Sequence, residues 1–116
     1  MWKIGVPMVA LLIAVASLAS AQGNADRGKV LFATYCATCH GDAGAGDGPA
    51  ASALNPKPRN LAEKGYIATR PDGDLLKVIK EGGPALGKSP LMAPFGGALK
   101  DGDIHDLVTF IRTLAK

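Results

Sequence analysis

The chain's two cysteines, Cys36 and Cys39, stand two residues apart, and His40 follows the second at once. The string C-A-T-C-H puts three side chains able to bind a metal or a reactive group within five residues. Whatever they hold sits against the chain at this point, and the rest must fold around it. The rest is poorly supplied for folding alone. Residues 22–116 hold 39 apolar residues, 14 of them alanine, so 25 are larger. The same 95 residues carry 14 Gly and 7 Pro, nearly twice the average usage of about 12%. This composition argues against a sheet-rich sandwich and against a large self-sufficient core. It suits a small, loop-rich domain that takes core volume from a disulfide, a metal or a bound cofactor.

Four readings of the motif compete. A disulfide between Cys36 and Cys39 would close so short a loop that it restricts little of the unfolded chain. A thiol–disulfide redox site expects a surrounding βαβ pattern, which the sequence lacks. A zinc site would have to bring His105 to Cys36, Cys39 and His40 across 65 residues without the usual paired knuckles. The fourth reading is covalent haem attachment. Two intervening residues put both thiols on one side of a helical turn, where they can add to the two vinyl groups of one haem. The adjacent imidazole then reaches the iron. The spacing fits this last reading best.

Met1–Ala21 supports it. Lys3 gives a basic start, residues 4–16 are the apolar run IGVPMVALLIAVA, and Ala19-Ser20-Ala21 forms a small-residue processing site. That is the layout of a secretory signal peptide, with cleavage expected after Ala21. The uncleaved alternative is a membrane anchor. The run from Ile4 to Ala19 spans 16 residues, short of the roughly 20 a helix needs to cross a bilayer. The expected mature protein, residues 22–116, is then exported without a membrane span, where haem c is normally assembled. It carries 12 Lys and Arg against 10 Asp and Glu. With no basic run, it is not read as a nucleic-acid binder.

Helices are expected from Asn24 to about Ala37, around Leu61–Ile67, from Pro71 to Gly82-Gly83, and from Asp101 to the end. The last has the clearest periodicity, with Ile104, Leu107, Val108, Ile111 and Leu114 at helical spacing. Gly41–Arg59 and Gly83–Gly97 are read as loops, the first with one turn at Ala50–Leu54. No strand signal appears. The fold class is therefore all-α, three to five helices and long loops wrapped around one group. Outside the signal the one methionine is Met92, in the proline-bounded loop S-P-L-M-A-P-F-G. A thioether held in a stiff loop suits the second axial position of a haem iron better than gap-filling, and it raises the reduction potential. His105, the other late candidate, lies on a face read as solvated.

Taken together, residues 25–116 resemble a small bacterial class I cytochrome c. The resemblance rests on Cys36-Ala37-Thr38-Cys39-His40, on Gly28 and Phe32 before it, on Met92, and on the closing L-K-D-G-D-I-H-D-L-V-T-F-I-R-T-L. It implies a cytochrome c-like fold in which the first and last helices cross closely, Gly28 admitting Phe110. It implies one covalent haem c on Cys36 and Cys39, with His40 and Met92 on the iron. It also implies that the Pro49 carbonyl accepts from His40 Nδ1–H, and that Arg59 meets a haem propionate with Asn60 or Tyr66 as added donors. Lys57 and Lys64 are read as solvated. Two features depart from the family's pattern. Ala93 separates Met92 from Pro94, and the one tryptophan, Trp2, lies in the signal. The implied function is one-electron transfer in the periplasm, with redox proteins docking transiently at the exposed haem edge and modest salt dependence. A haem subunit of a larger redox complex is the alternative. A peroxidase or gas sensor would need an open or labile iron position.

Overall fold

Asn24 starts the first helix as its side chain suggests. Its Oδ1 accepts from the Arg27 N–H at 3.1 Å, satisfying one of the free donors of the first turn. The computed structural model in which this is seen describes residues 2–10 and 23–115. The expected cleavage point after Ala21 and residues 11–21 of the expected signal lie outside the described residues. Residues 2–10 form no regular element and expose Trp2, Ile4, Val6, Met8 and Val9.

Five α-helices follow: α1 (Ala25–Tyr35), α2 (Ala37–His40), α3 (Lys64–Ile67), α4 (Asp72–Glu81) and α5 (Asp101–Leu114). Short 3₁₀ turns occupy Ala51–Ala53 and Gly83–Leu86, and there is no strand among the described residues. The all-α expectation holds, with local corrections. The first helix runs to Tyr35 and α2 follows from Ala37, with Cys36 between them at φ −115° and ψ −34°, still bonded to Phe32 and His40. Pro71 is the cap of α4 and not its first residue. Lys100, not Asp101, caps α5. Asp103 accepts from the Lys100 N–H at 3.0 Å, and Asp101 instead meets Lys80 Nζ at 2.9 Å.

α2 and α4 both end on a glycine of positive φ, Gly41 at +81° and Gly82 at +88°. Only glycine takes that backbone at little cost. Each following loop then turns back and donates to the carbonyls the helix end has left free. Gly46, Gly48 and Ala50 donate to His40, Cys39 and Thr38, and Phe95 and Gly96 donate to Ile79 and Lys80.

α1 and α5 cross without side chains between them. A Cβ at Gly28 would lie 2.0 Å from the Asp106 carbonyl oxygen and 2.8 Å from Phe110 Cβ. The Phe32 and Phe110 rings meet beside the crossing, 5.3 Å apart and tilted by 58°. Ionic contacts close its outer edge, Arg27 pairing with Asp103 and Asp106. Arg112 ties α5 to the turn between α3 and α4. Its guanidinium donates to Asp72 Oδ1 at 2.7 Å, the Ile67 carbonyl at 3.0 Å and the Arg70 carbonyl at 2.7 Å. The helix-dipole role its sequence position suggests understates it.

The core is one cluster in which Phe32, Ile67, Ile104 and Leu107 are the large side chains fully enclosed. Leu75, Ile79 and Ile111 extend it toward one side. Gly28→Ala tests the crossing. Alanine gains about 1 kcal/mol in helix propensity, but its methyl meets backbone that cannot swing aside. We expect a net loss of about 2–3 kcal/mol, read by denaturant unfolding of the matured protein. Parental stability would mean the helices stand further apart.

Candidate cofactor site

The side of the core toward which Leu75, Ile79 and Ile111 face is a cavity of about 320 Å³, within the range of small-molecule sites. Phe32, Leu75, Ile79 and Ile111 are at once buried core residues and part of its lining. Its charged lining residues are Lys57, Arg59 and Lys88, and no Asp or Glu is among the described residues that line it.

Cys36, Cys39 and His40 come to this wall together. The backbone winds one turn around the Cys36 carbonyl, which accepts from Cys39 N–H at 3.2 Å and His40 N–H at 2.9 Å. Both cysteines are free thiols. Burial and the neighbouring Cys39 push the Cys36 thiol up to about 12. A thiol so far from its thiolate is a poor redox nucleophile, which counts against the thiol–disulfide reading. The zinc reading fails on position. His105 is exposed and lines a different cleft, between α4 and α5, with Lys80 and Asp101.

His40 is half-buried. Burial lowers its pKa, and the hydrogen bond from its ring to the Arg59 backbone pulls the other way. Nδ1 lies 3.0 Å from the Arg59 carbonyl oxygen. A carbonyl can only accept, so Nδ1 carries the hydrogen. In the neutral ring this leaves Nε2 with its lone pair free to ligate a metal. The partner corrects the expectation for Pro49, which is exposed and is not part of the cavity lining. The Gly48–Ala50 turn bonds back onto α2 through Cys39 and Thr38, and the chain reaches the imidazole only at Pro58-Arg59. The sequence did carry a signal for this. Pro56 and Pro58 keep that stretch extended and remove competing N–H donors.

Met92 lines the same cavity from the loop after α4 and is half-buried. Its backbone is fixed on both sides, N–H to the Ser89 carbonyl at 3.3 Å and carbonyl to the Gly83 N–H at 3.0 Å. Arg59 and Tyr66 also line it, with the Arg59 guanidinium 3.8 Å from the Tyr66 ring centre. Asn60 does not, since its Oδ1 accepts from Ala62 N–H at 2.9 Å in a local turn. Lys57 and Lys64 are both exposed as expected, and Lys57 also stands at the edge of the cavity. Sequence reasoning missed Lys88 altogether, because a lone lysine in a loop carries no periodic signal.

Comparison with known proteins agrees with this arrangement. Residues 25–115 match the family model for cytochrome c. Cytochrome c-554(547) of Halothiobacillus neapolitanus is 34% identical, over 79% of this chain and 98% of that protein. The structure of the c-type cytochrome KustC0563 is similar at a TM-score of 0.63 and 27% identity, covering 77% of this chain and 98% of the other. A chain of the Kuenenia stuttgartiensis reducing HAO-like protein complex has the same TM-score at 28% identity. There the match covers 79% of this chain and only 43% of the longer one.

The residues present fit a covalently bound haem c. Two free thiols one turn apart match its two points of attachment, and an imidazole with Nδ1 already bonded offers Nε2 to its iron. Apolar side chains match the ring, and a rim of cations without lining carboxylates matches its acidic edge. Replacing both Cys36 and Cys39 with alanine should abolish haem staining on a denaturing gel, and Cys39→Ala alone should weaken it. Undiminished staining of the double variant would mean that the group is attached elsewhere.

Proposed function

The chain belongs to the cytochrome c family, and from that premise we propose that it is a periplasmic one-electron carrier in which His40 and Met92 would hold the haem iron. The carrying observation is that these two side chains line one apolar cavity from separate segments, each with its backbone tethered to a helix end or an adjoining turn.

Bound there, the haem supplies an iron that takes up and releases one electron. The protein does the rest. The Arg59 carbonyl orients the His40 ring and strengthens it as a donor. The Met92 thioether, a soft ligand, favours ferrous iron and raises the potential. Phe32, Leu75, Ile79 and Ile111 exclude water from the floor, so little solvent has to reorganise when the charge changes. With His40 and Met92 both holding the group, no place at the metal would be left for a substrate, which would distinguish a carrier from a peroxidase. Exposed lining residues, among them Lys57, Lys88, Leu91 and Ala93, form the rim where redox partners dock.

Residues 1–21 act as a cleaved signal and residues 22–116 as the haem domain. The family match beginning at residue 25 supports this boundary. No helix among the described residues is long and apolar enough to cross a membrane. A second reading, a haem subunit of a larger redox complex, is favoured by the likeness to a chain of the HAO-like protein complex. Gel filtration of the native protein from its own periplasm separates the two.

Two measurements test the proposal. The ferric protein should be low-spin and show the weak sulfur-to-iron band at the red edge. Met92→Ala should lose that band, bind carbon monoxide when reduced, and have a lower midpoint potential. An unchanged spectrum would remove Met92 from the iron. The intact mass of periplasm-matured protein should correspond to residues 22–116 plus one haem, and a mass that retains residues 1–21 would overturn the boundary.

A further inference from the structure

The two glycines that follow α4 are both buried, and each is glycine for a different reason. Gly82 is needed for its backbone, at φ +88°. Gly83 has no positive φ, so what it supplies is space. A Cβ there would overlap the Ser89 carbonyl oxygen and lie 2.9 Å from its carbon. Elsewhere in the same loop the space is open, since a Cβ at Gly87 or Gly97 would meet nothing within 4 Å.

Backbone contacts close a ring at this point. Gly83 N–H donates to the Met92 carbonyl at 3.0 Å, and the Gly83 carbonyl accepts from Lys88 N–H at 2.8 Å. The Ser89 carbonyl that presses on Gly83 accepts in turn from Met92 N–H at 3.3 Å. Beyond Met92, Phe95 and Gly96 donate to the Ile79 and Lys80 carbonyls at 2.9 Å and 3.0 Å. Both flanks of Met92 are thereby tied to the end of α4. The same helix supplies Leu75, Val78 and Ile79 to the cavity lining. The place of Met92 relative to that floor thus depends on how closely its loop approaches the helix end, and the approach needs a bare position 83.

We propose that Gly83 is a positioning residue for Met92, a pinch point whose missing side chain sets how firmly the thioether is held. This rests on the axial role proposed for Met92 and deepens it. A methyl at position 83 pushes the Ser89 carbonyl outward, and the Met92 N–H bonded to that carbonyl moves with it. The strain falls on the closed loop and is relieved when the thioether leaves the iron.

The test uses ferric, periplasm-matured holoprotein, with imidazole as the competitor for the iron. Gly83→Ala should weaken the sulfur-to-iron band and raise the apparent imidazole affinity about tenfold, equivalent to about 1.4 kcal/mol. Gly97→Ala, at an exposed position with open space around it, should leave both at parental values. In a Met92→Ala background, Gly83→Ala should change the affinity no further, because it acts through the methionine. A merely structural methyl would lower unfolding stability and leave the affinity alone, or raise the affinity equally in both backgrounds. Either result overturns the pinch while Met92 stays on the iron. If Met92→Ala itself keeps the band, the axial reading falls and the pinch with it. Should Gly83→Ala not mature, the unmodified protein carries the test. Coupling between two sites is reciprocal, so saturating imidazole should speed hydrogen exchange at Gly83 N–H about tenfold relative to Phe95 and Gly96 N–H, read by NMR. Unchanged relative protection would overturn the proposal.

Discussion

The fold depends on a core that the protein shares with what it binds. Phe32, Leu75, Ile79 and Ile111 are buried among their neighbours and also form the cavity floor. Filling the cavity with an apolar ring therefore completes the same cluster that holds α1, α4 and α5 together. The close crossing at Gly28 makes this economical. With no Cβ between the two backbones, Phe32 and Phe110 meet directly, and Phe32 can reach the cavity from a helix whose other side lies on α5. A thicker crossing would need more large apolar residues than this chain has.

The sequence made legible whatever depends on local chemistry or on a repeating pattern. Asn24 as a cap, the apolar stripe of α5, the glycines that end α4 and the cysteine–histidine string all act within a few residues of themselves. The motif gave the cofactor, and one methionine in a stiff loop gave the expected partner ligand. What stayed hidden depends on which distant segment arrives at a given atom. Pro49 and Arg59 both follow the motif in proline-bearing stretches, and either carbonyl suited His40. The carbonyl that meets His40 is that of Arg59, while the Gly48 and Ala50 N–H groups hold the Pro49 turn against the Cys39 and Thr38 carbonyls of α2. Arg112 reads as a charge at a helix end, yet it joins three elements. Lys88, Arg70 and Tyr66 come together only through tertiary folding.

Charge illustrates the same limit. Twelve Lys and Arg against ten Asp and Glu in residues 22–116 imply a weak field and modest salt dependence. The field a partner meets, however, is set near the point of contact, because charges beyond about 8–10 Å are screened at ordinary ionic strength. The cavity rim carries Lys57, Arg59 and Lys88 and no lining carboxylate, while Asp101, Asp103 and Asp106 sit together on α5. Those α5 carboxylates are paired with Arg27 and Lys80, so the near-balanced total says little about the rim. How positive the rim remains depends on how much of it the haem's own carboxylates neutralise.

The two loops resolve an apparent conflict between composition and task. Electron transfer favours ligands that barely move between oxidation states, yet Met92 stands in a stretch of Gly and Pro, and His40 opens onto another. Gly41 and Gly82 turn the chain sharply where α2 and α4 end, and the carbonyls those helices leave unpaired become anchors for the returning loops. Each loop is thereby fixed by backbone hydrogen bonds together with a few packed side chains, Leu61 in the first and Met92 and Phe95 in the second. Proline stiffens these loops by fixing φ and removing donors, and glycine supplies the positive φ that lets them turn back onto the helix ends. The composition that first suggested a weak fold is also what lets a small chain hold His40 and Met92, the two proposed ligands, still.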